Sequence, residues 1–182
     1  MNNPDNILPE DSYWVWHHDV MAGQYPGSDD LDKTRDKLIT YLNTGVTAFL
    51  DLTQAHELEH YEATLRQLAE EKGIDIAYQR YPIPDVSVPE HPGQMRAILD
   101  QIQHWRHQNR VVYIHCWGGV GRTGTVVGCL LIESGMTAEE ALIHIAELRQ
   151  QLSPATRRRN PISPQVLEQF EYVWTWKTGM GK

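Results

Sequence analysis

The sequence predicts a single α/β domain, with a central, mainly parallel sheet flanked by helices on both faces. Three observations predict it. Strand-like and helix-like segments alternate along the chain. Two strand-like runs, Val46-Thr47-Ala48-Phe49-Leu50 and Val111-Val112-Tyr113-Ile114, are almost wholly apolar, as strands covered on both sides are. A glycine-rich stretch then joins the second run to another apolar run, residues 126–132, as happens where a parallel strand leads through a loop into a helix.

In chain order, Trp14-Val15-Trp16 and Val20-Met21-Ala22 read as short strands that end in a turn at residues 23–27. Residues 29–42 read as a helix and 46–52 as a buried strand. Leu58, Tyr61, Leu65 and Leu68 fall at helical spacing and form one apolar stripe. Residues 74–80 read as a strand. Residues 93–107 read as a helix turning Met95, Ile98, Leu99, Ile102 and Trp105 inward. Thr137-Ala138-Glu139-Glu140 is a capping box opening a helix to residue 148. Ser163 as N-cap with Pro164 at the first helical position predicts a last helix over 164–177, with Val166, Phe170, Val173 and Trp174 as its core face. The 182 residues, 41% of them hydrophobic, suffice for one core. Neither a repeat nor a composition shift divides them, so the domain is read as 1–182 with its core at about 12–177.

The chemistry gathers in His115-Cys116-Trp117-Gly118-Gly119-Val120-Gly121-Arg122-Thr123-Gly124. A thiol becomes a good nucleophile on ionisation, which a helix N-terminus and a neighbouring cation both favour. Cys116 has both: the helix that begins near Arg122, and the guanidinium itself. The same unpaired amides receive a phosphate dianion. Gly118, Gly119 and Gly121 let the backbone curl, so that residues 117–121, Trp117 and Val120 included, turn N–H groups inward. Arg122 is forked and grips two phosphate oxygens at once, which Lys does not. Thr123 offers its hydroxyl to the thiolate, and His115 orients the Cys116 backbone. The loop points to removal of phosphate through sulfur, with neither metal nor cofactor.

Cys-x5-Arg-Thr, with His before and Gly after, resembles the cysteine-dependent protein tyrosine phosphatases, most closely their compact dual-specificity branch. The likeness covers roughly residues 12–177 and implies that family's fold, with its phosphate loop at a strand's C-terminal end. It also implies a phosphocysteine intermediate and an upstream general acid. Asp85, in the proline-stiffened Tyr81-Pro82-Ile83-Pro84-Asp85, fits that acid. Ile83 departs from the Trp of the large tyrosine phosphatases. Asp51, at another strand terminus, is a rival acid, though capping suits it better. Gln165 and Gln169, four apart and on one helix face, match the family's water-positioning glutamines.

Other signals carry less. His56-Glu57-Leu58-Glu59-His60 matches His-Glu-x-x-His, but on a helix both histidines project away from the apolar stripe, and no third zinc ligand is evident. Gly119 to Gly124 has a nucleotide-loop spacing, yet Thr125 stands where Lys is required. Arg157-Arg158-Arg159 reads as a solvated basic turn, with a substrate anion as the alternative partner. Trp117 and the turn around Tyr25 shape the pocket wall. Two cysteines, Cys116 and Cys129, make no disulfide framework and suit a reducing compartment, with Cys129 a small core residue. A net charge of −8 argues against nucleic acid or an acidic membrane surface as partner. No targeting or membrane-spanning stretch is evident, so a cytoplasmic monomer is expected.

The leading expectation is a phosphoprotein phosphatase acting on phosphotyrosine, and on phosphoserine or phosphothreonine as well. An inositol-phosphate or phosphoinositide phosphatase is the alternative, weakened by the absence of lysine from residues 117–121. A phosphoprotein-binding module without catalysis is the third.

Overall fold

The structure, a computed structural model, describes residues 8–181. Five strands form one sheet in the order β1-β2-β5-β3-β4: β1 (Ser12–Trp16), β2 (Val20–Gly23), β3 (Val46–Asp51), β4 (Ala77–Arg80) and β5 (Val111–His115). The β1–β2 pair is antiparallel and the other three pairings are parallel. The expected mainly parallel sheet is therefore present, with one hairpin at its edge.

Seven α-helices cover the sheet among the described residues: α1 (Leu31–Asn43), α2 (Glu62–Lys72), α3 (Pro92–His107), α4 (Gly121–Glu133), α5 (Ala138–Leu148), α6 (Pro154–Arg159) and α7 (Leu167–Thr175). Strand alternation sorts the two faces. Met21, Phe49 and Tyr113 pack toward Leu38, Leu42, Leu65 and Leu68 of α1 and α2. Ala22, Leu50, Val112 and Ile114 pack toward Ile98, Ile102, Val126, Leu130 and Ile145 of α3, α4 and α5. Helix starts follow local chemistry. Asp30 accepts the Asp32 and Lys33 amides, and Thr137 and Glu140 form the expected capping box. Because β2, β5, β3 and β4 are parallel, their C-terminal ends share one sheet edge. The segments after Gly23, Asp51, Arg80 and His115 all emerge there, at the edge where such sheets place their sites.

Three expectations need correction. The last helix begins at Leu167, not at Pro164. Ser163 does not cap it; its hydroxyl donates to the Val120 carbonyl at 2.7 Å, a tertiary bond that outcompetes the local one. Its inward face is also different. Val173 and Gln169 are buried and Trp176, just beyond the helix, joins them, whereas Trp174 is 59% exposed. Residues 154–159 form a short helix capped by Ser153 rather than a basic turn, and Arg159 pairs with Asp11 at 3.5 Å.

Candidate active site

The glycine-rich loop lies where the sequence places it, between β5 and α4. Cys116 is buried at its start, and α4 presents its N-terminus from Gly121. Gly119 stands at φ 66, and a Cβ there would fall 2.3 Å from the carbonyl carbon of Gly23. Only glycine lets the loop press so closely on the β2 end. The Tyr25 amide donates to the Trp117 carbonyl at 2.9 Å, which ties the loop to the same turn. Trp117 itself is 51% exposed. It borders a cleft of about 680 Å³, with Tyr25, Lys37, His56, Glu59 and His60 on its other walls.

Arg122 is almost wholly buried and all four of its terminal N–H bonds are engaged. Nη1 donates to Glu57 Oε2 at 2.7 Å and to the Ile83 carbonyl at 3.0 Å. Nη2 donates to Glu57 Oε1 at 2.5 Å and to Asp85 Oδ1 at 2.8 Å. Its Nε has no partner among the described residues. Burial opposes the Arg122 charge, but the bonds to Glu57 and the field of Cys116 outweigh it and push its pKa up. Partial burial likewise works against the Glu57 carboxylate, and Arg122 reverses that and holds it below the ordinary glutamate value.

The loop carrying Asp85 is anchored at both ends. The Ile83 amide donates to the Leu52 carbonyl at 3.1 Å, and the Ser87 carbonyl accepts Gln169 Nε2 at 2.9 Å. Between these anchors Asp85 is exposed. Val86 beside it adopts φ 56, a left-handed backbone that β-branched residues rarely take, so the chain turns sharply after the acid. Asp51 is different. It is fully buried and accepts from Thr53 N and Oγ1 (2.8 and 2.6 Å), Tyr78 Oη (2.8 Å) and Arg80 Nε and Nη2 (3.1 and 3.0 Å). Burial alone would raise its pKa, but His115 and these donors outweigh that and lower it. It cross-links the β3 and β4 ends and the loop that carries Glu57.

His115 is buried under the cysteine. Its Nε2 lies 2.7 Å from Tyr61 Oη and its Nδ1 3.4 Å from the Cys116 carbonyl. Burial pushes its pKa down, against the opposing pull of Asp51. Thr123 is fully buried, and its hydroxyl has no partner among the described residues. Gln169 is buried against the loop: a Cβ on Gly121 would lie 2.8 Å from its amide and 3.2 Å from Gln165 Oε1. Both glutamines thus reach the loop, but not from one helical face. Gln165 precedes α7, and its amide donates to Gln169 Oε1 at 3.0 Å.

Glu57 is the residue the sequence reading missed. His56 and His60 are exposed on the connection between β3 and α2, not on a helix, and among the described residues no three His, Cys, Asp or Glu side chains converge to hold a metal ion. The useful signal was position. Glu57 follows the C-terminal end of β3 as Asp85 follows β4 and Cys116 follows β5.

Residues 24–136 match the family model described as "Polymorphic toxin system, DSP-PTPase phosphatase". This chain belongs to that phosphatase family. Among curated relatives of the DSP-PTPase chain is the phosphatidylinositol 3,4,5-trisphosphate 3-phosphatase and protein-tyrosine-phosphatase PTEN1 of Arabidopsis thaliana, 26% identical over 133 residues, 72% of this chain and 30% of the relative. Another is the tyrosine-protein phosphatase yvh1 of Schizosaccharomyces pombe, 33% identical over 101 residues, 46% of this chain and 31% of the relative. The chain therefore spans under a third of the length of these two. Among solved structures, Tk-PTP in its active form is 26% identical, with a TM-score of 0.64 over 90% of this chain and 93% of that one. PTPMT1 in complex with PI(5)P, 19% identical, shares the fold with a TM-score of 0.64 over 92% of this chain and 94% of that one.

Proposed function

We propose that this chain is a phosphoprotein phosphatase that hydrolyses phosphotyrosine, and phosphoserine or phosphothreonine as well, through a phosphocysteine intermediate. The observation that carries the reading is the convergence on one guanidinium. Glu57 grips Arg122 end-on through Nη1 and Nη2, which leaves the Nε–Nη2 edge for two phosphate oxygens. Asp85 occupies that edge through Nη2. An entering phosphate dianion displaces it, and the freed carboxyl stands beside the leaving oxygen.

The chemistry then runs in two balanced steps. Cys116 Sγ attacks phosphorus, the P–O bond to the substrate breaks, and Asp85 gives its proton to the leaving oxygen. Water then attacks the phosphocysteine, the P–S bond breaks, and Asp85 takes a proton back as inorganic phosphate departs. Gln165 and Gln169 hold the water, Thr123 donates to the returning thiolate, and the amides of 117–121 with Arg122 bind the transferring group. His115, bonded to Tyr61, fixes the Cys116 carbonyl.

A protein substrate suits a loop with no lysine at 117–121 and an exposed Trp117 beside a broad cleft. The similarity to the Arabidopsis PTEN1 protein favours a second reading, a phosphoinositide or inositol phosphate as substrate. Turnover of a phosphotyrosine peptide, an aryl phosphate and an inositol phosphate by the wild type and by Cys116→Ser tests both. Peptide hydrolysis abolished by the substitution supports the first reading, preferential inositol-phosphate hydrolysis replaces it with the second, and activity that survives Cys116→Ser overturns both.

A further inference from the structure

We infer that Arg149 is a positioning residue of the phosphate cradle: from behind the loop it holds the Gly119 carbonyl outward, turns the Val120 N–H toward the bound anion, and adds a second fixed positive charge there. The inference rests on the phosphatase reading above.

Arg149 follows α5 and is 4% exposed. Its guanidinium donates to two carbonyls, Gly119 at 3.4 Å and Asn160 at 2.6 Å, and pairs with no carboxylate among the described residues. A buried cation without a counter-charge is costly. Burial accordingly pushes its pKa down, with Tyr13 opposing. The missing negative charge lies across the loop. Tyr13 of β1, fully buried with an unpartnered hydroxyl, is within electrostatic range of both Arg149 and Cys116. A thiolate and a phosphate dianion would supply what the protein withholds. The charged or titratable groups facing Cys116 are Tyr13 from β1, Tyr113 and His115 from β5, and Arg122 from α4.

The backbone supports the same role. In a planar trans peptide the C=O and the following N–H point in opposite directions. Three loop carbonyls are held outward: Trp117 by the Tyr25 amide, Gly119 by Arg149, and Val120 by the Ser163 hydroxyl. Their partner amides, on Gly118, Val120 and Gly121, are thereby aimed into the cradle. Arg149 is the charged member of the three holders, so orientation and field coincide there.

Arg149→Met keeps the stem and removes fork and charge. We expect inorganic phosphate, read by calorimetry, to bind at least about tenfold more weakly, the worth of one charge-assisted hydrogen bond. We also expect the pH midpoint of Cys116 alkylation by iodoacetamide to rise. Ser163→Ala, which removes a neutral holder, should weaken phosphate binding and leave that midpoint in place. A folded Arg149→Met protein with wild-type phosphate affinity and a wild-type midpoint overturns the proposal. Should Arg149→Met fail to fold, Arg149→Lys decides: reduced phosphate affinity with a wild-type midpoint supports the role, and wild-type affinity overturns it. Wild-type protein that binds no phosphate would instead sink the phosphatase reading itself.

Discussion

Glu57 and Asp85 hold the same guanidinium from adjacent loops, and they differ in everything else. The Glu57 side chain is 10% exposed and binds both terminal nitrogens of Arg122, whereas Asp85 is 49% exposed and binds one. A bidentate, desolvated pair keeps its geometry, while a single exposed bond exchanges with water or with an incoming anion. The lesson is that one kind of carboxylate serves two roles here, set by burial and by which edge of the arginine it faces. Glu57 fixes the fork, and Asp85 bonds the remaining edge of the guanidinium, the one that the proposed mechanism gives to phosphate.

The sharpest way to break this contrast is leaving-group dependence. Asp85→Asn should lower kcat on a phosphotyrosine peptide by about 10²–10⁴-fold, as loss of a general acid does. Its effect on an aryl phosphate with an acidic leaving group should be far smaller. Glu57→Gln should lower kcat/KM on both substrates alike, by roughly 10–10²-fold, because it disorders Arg122 rather than removing a proton source. If the Glu57 variant showed the leaving-group dependence and the Asp85 variant did not, the roles would be reversed. A smaller effect comes next: Asp85→Ala should bind inorganic phosphate about 3–10-fold more tightly, since a competing negative charge has gone from the Nε–Nη2 edge. Weaker binding, measured by calorimetry, would show that Asp85 does not occupy the phosphate position.

The smallest effect lies beneath the site. Burial depresses the His115 pKa, so the folded protein keeps this imidazole neutral where the unfolded chain binds a proton. Its contribution is full above the ordinary imidazole value of about 6.5 and falls as pH drops below it, by up to about 1.4 kcal/mol per pH unit. His115→Gln should remove that one-proton slope from urea-unfolding stability measured between about pH 5 and pH 7. A slope that persists unchanged would assign it to other groups.

Much of this was legible in one dimension because the signals are local. Strand-loop-helix at Cys116, the capping box at Thr137 and the proline-stiffened loop at Asp85 each depend on neighbours within a few residues. The start of α7 was misread because Ser163 obeys the local capping rule in sequence and a tertiary bond to Val120 in space. Glu57 was hidden by a metal-like pattern around it, since its meaning comes from Arg122, 65 residues away. Arg149 carried no signal at all.

The sequence by itself determined the cysteine-bearing glycine loop, the forked cation at its end and the alternation that builds a parallel sheet, because periodicity and glycine geometry are properties of short segments. Only the tertiary structure decided which carboxylate clamps the arginine with both oxygens and which bonds it singly from an exposed loop, and that a second arginine lies behind the glycine loop. Those choices rest on burial and on distances between chain segments, which exist only once the strand ends meet at one edge of the sheet.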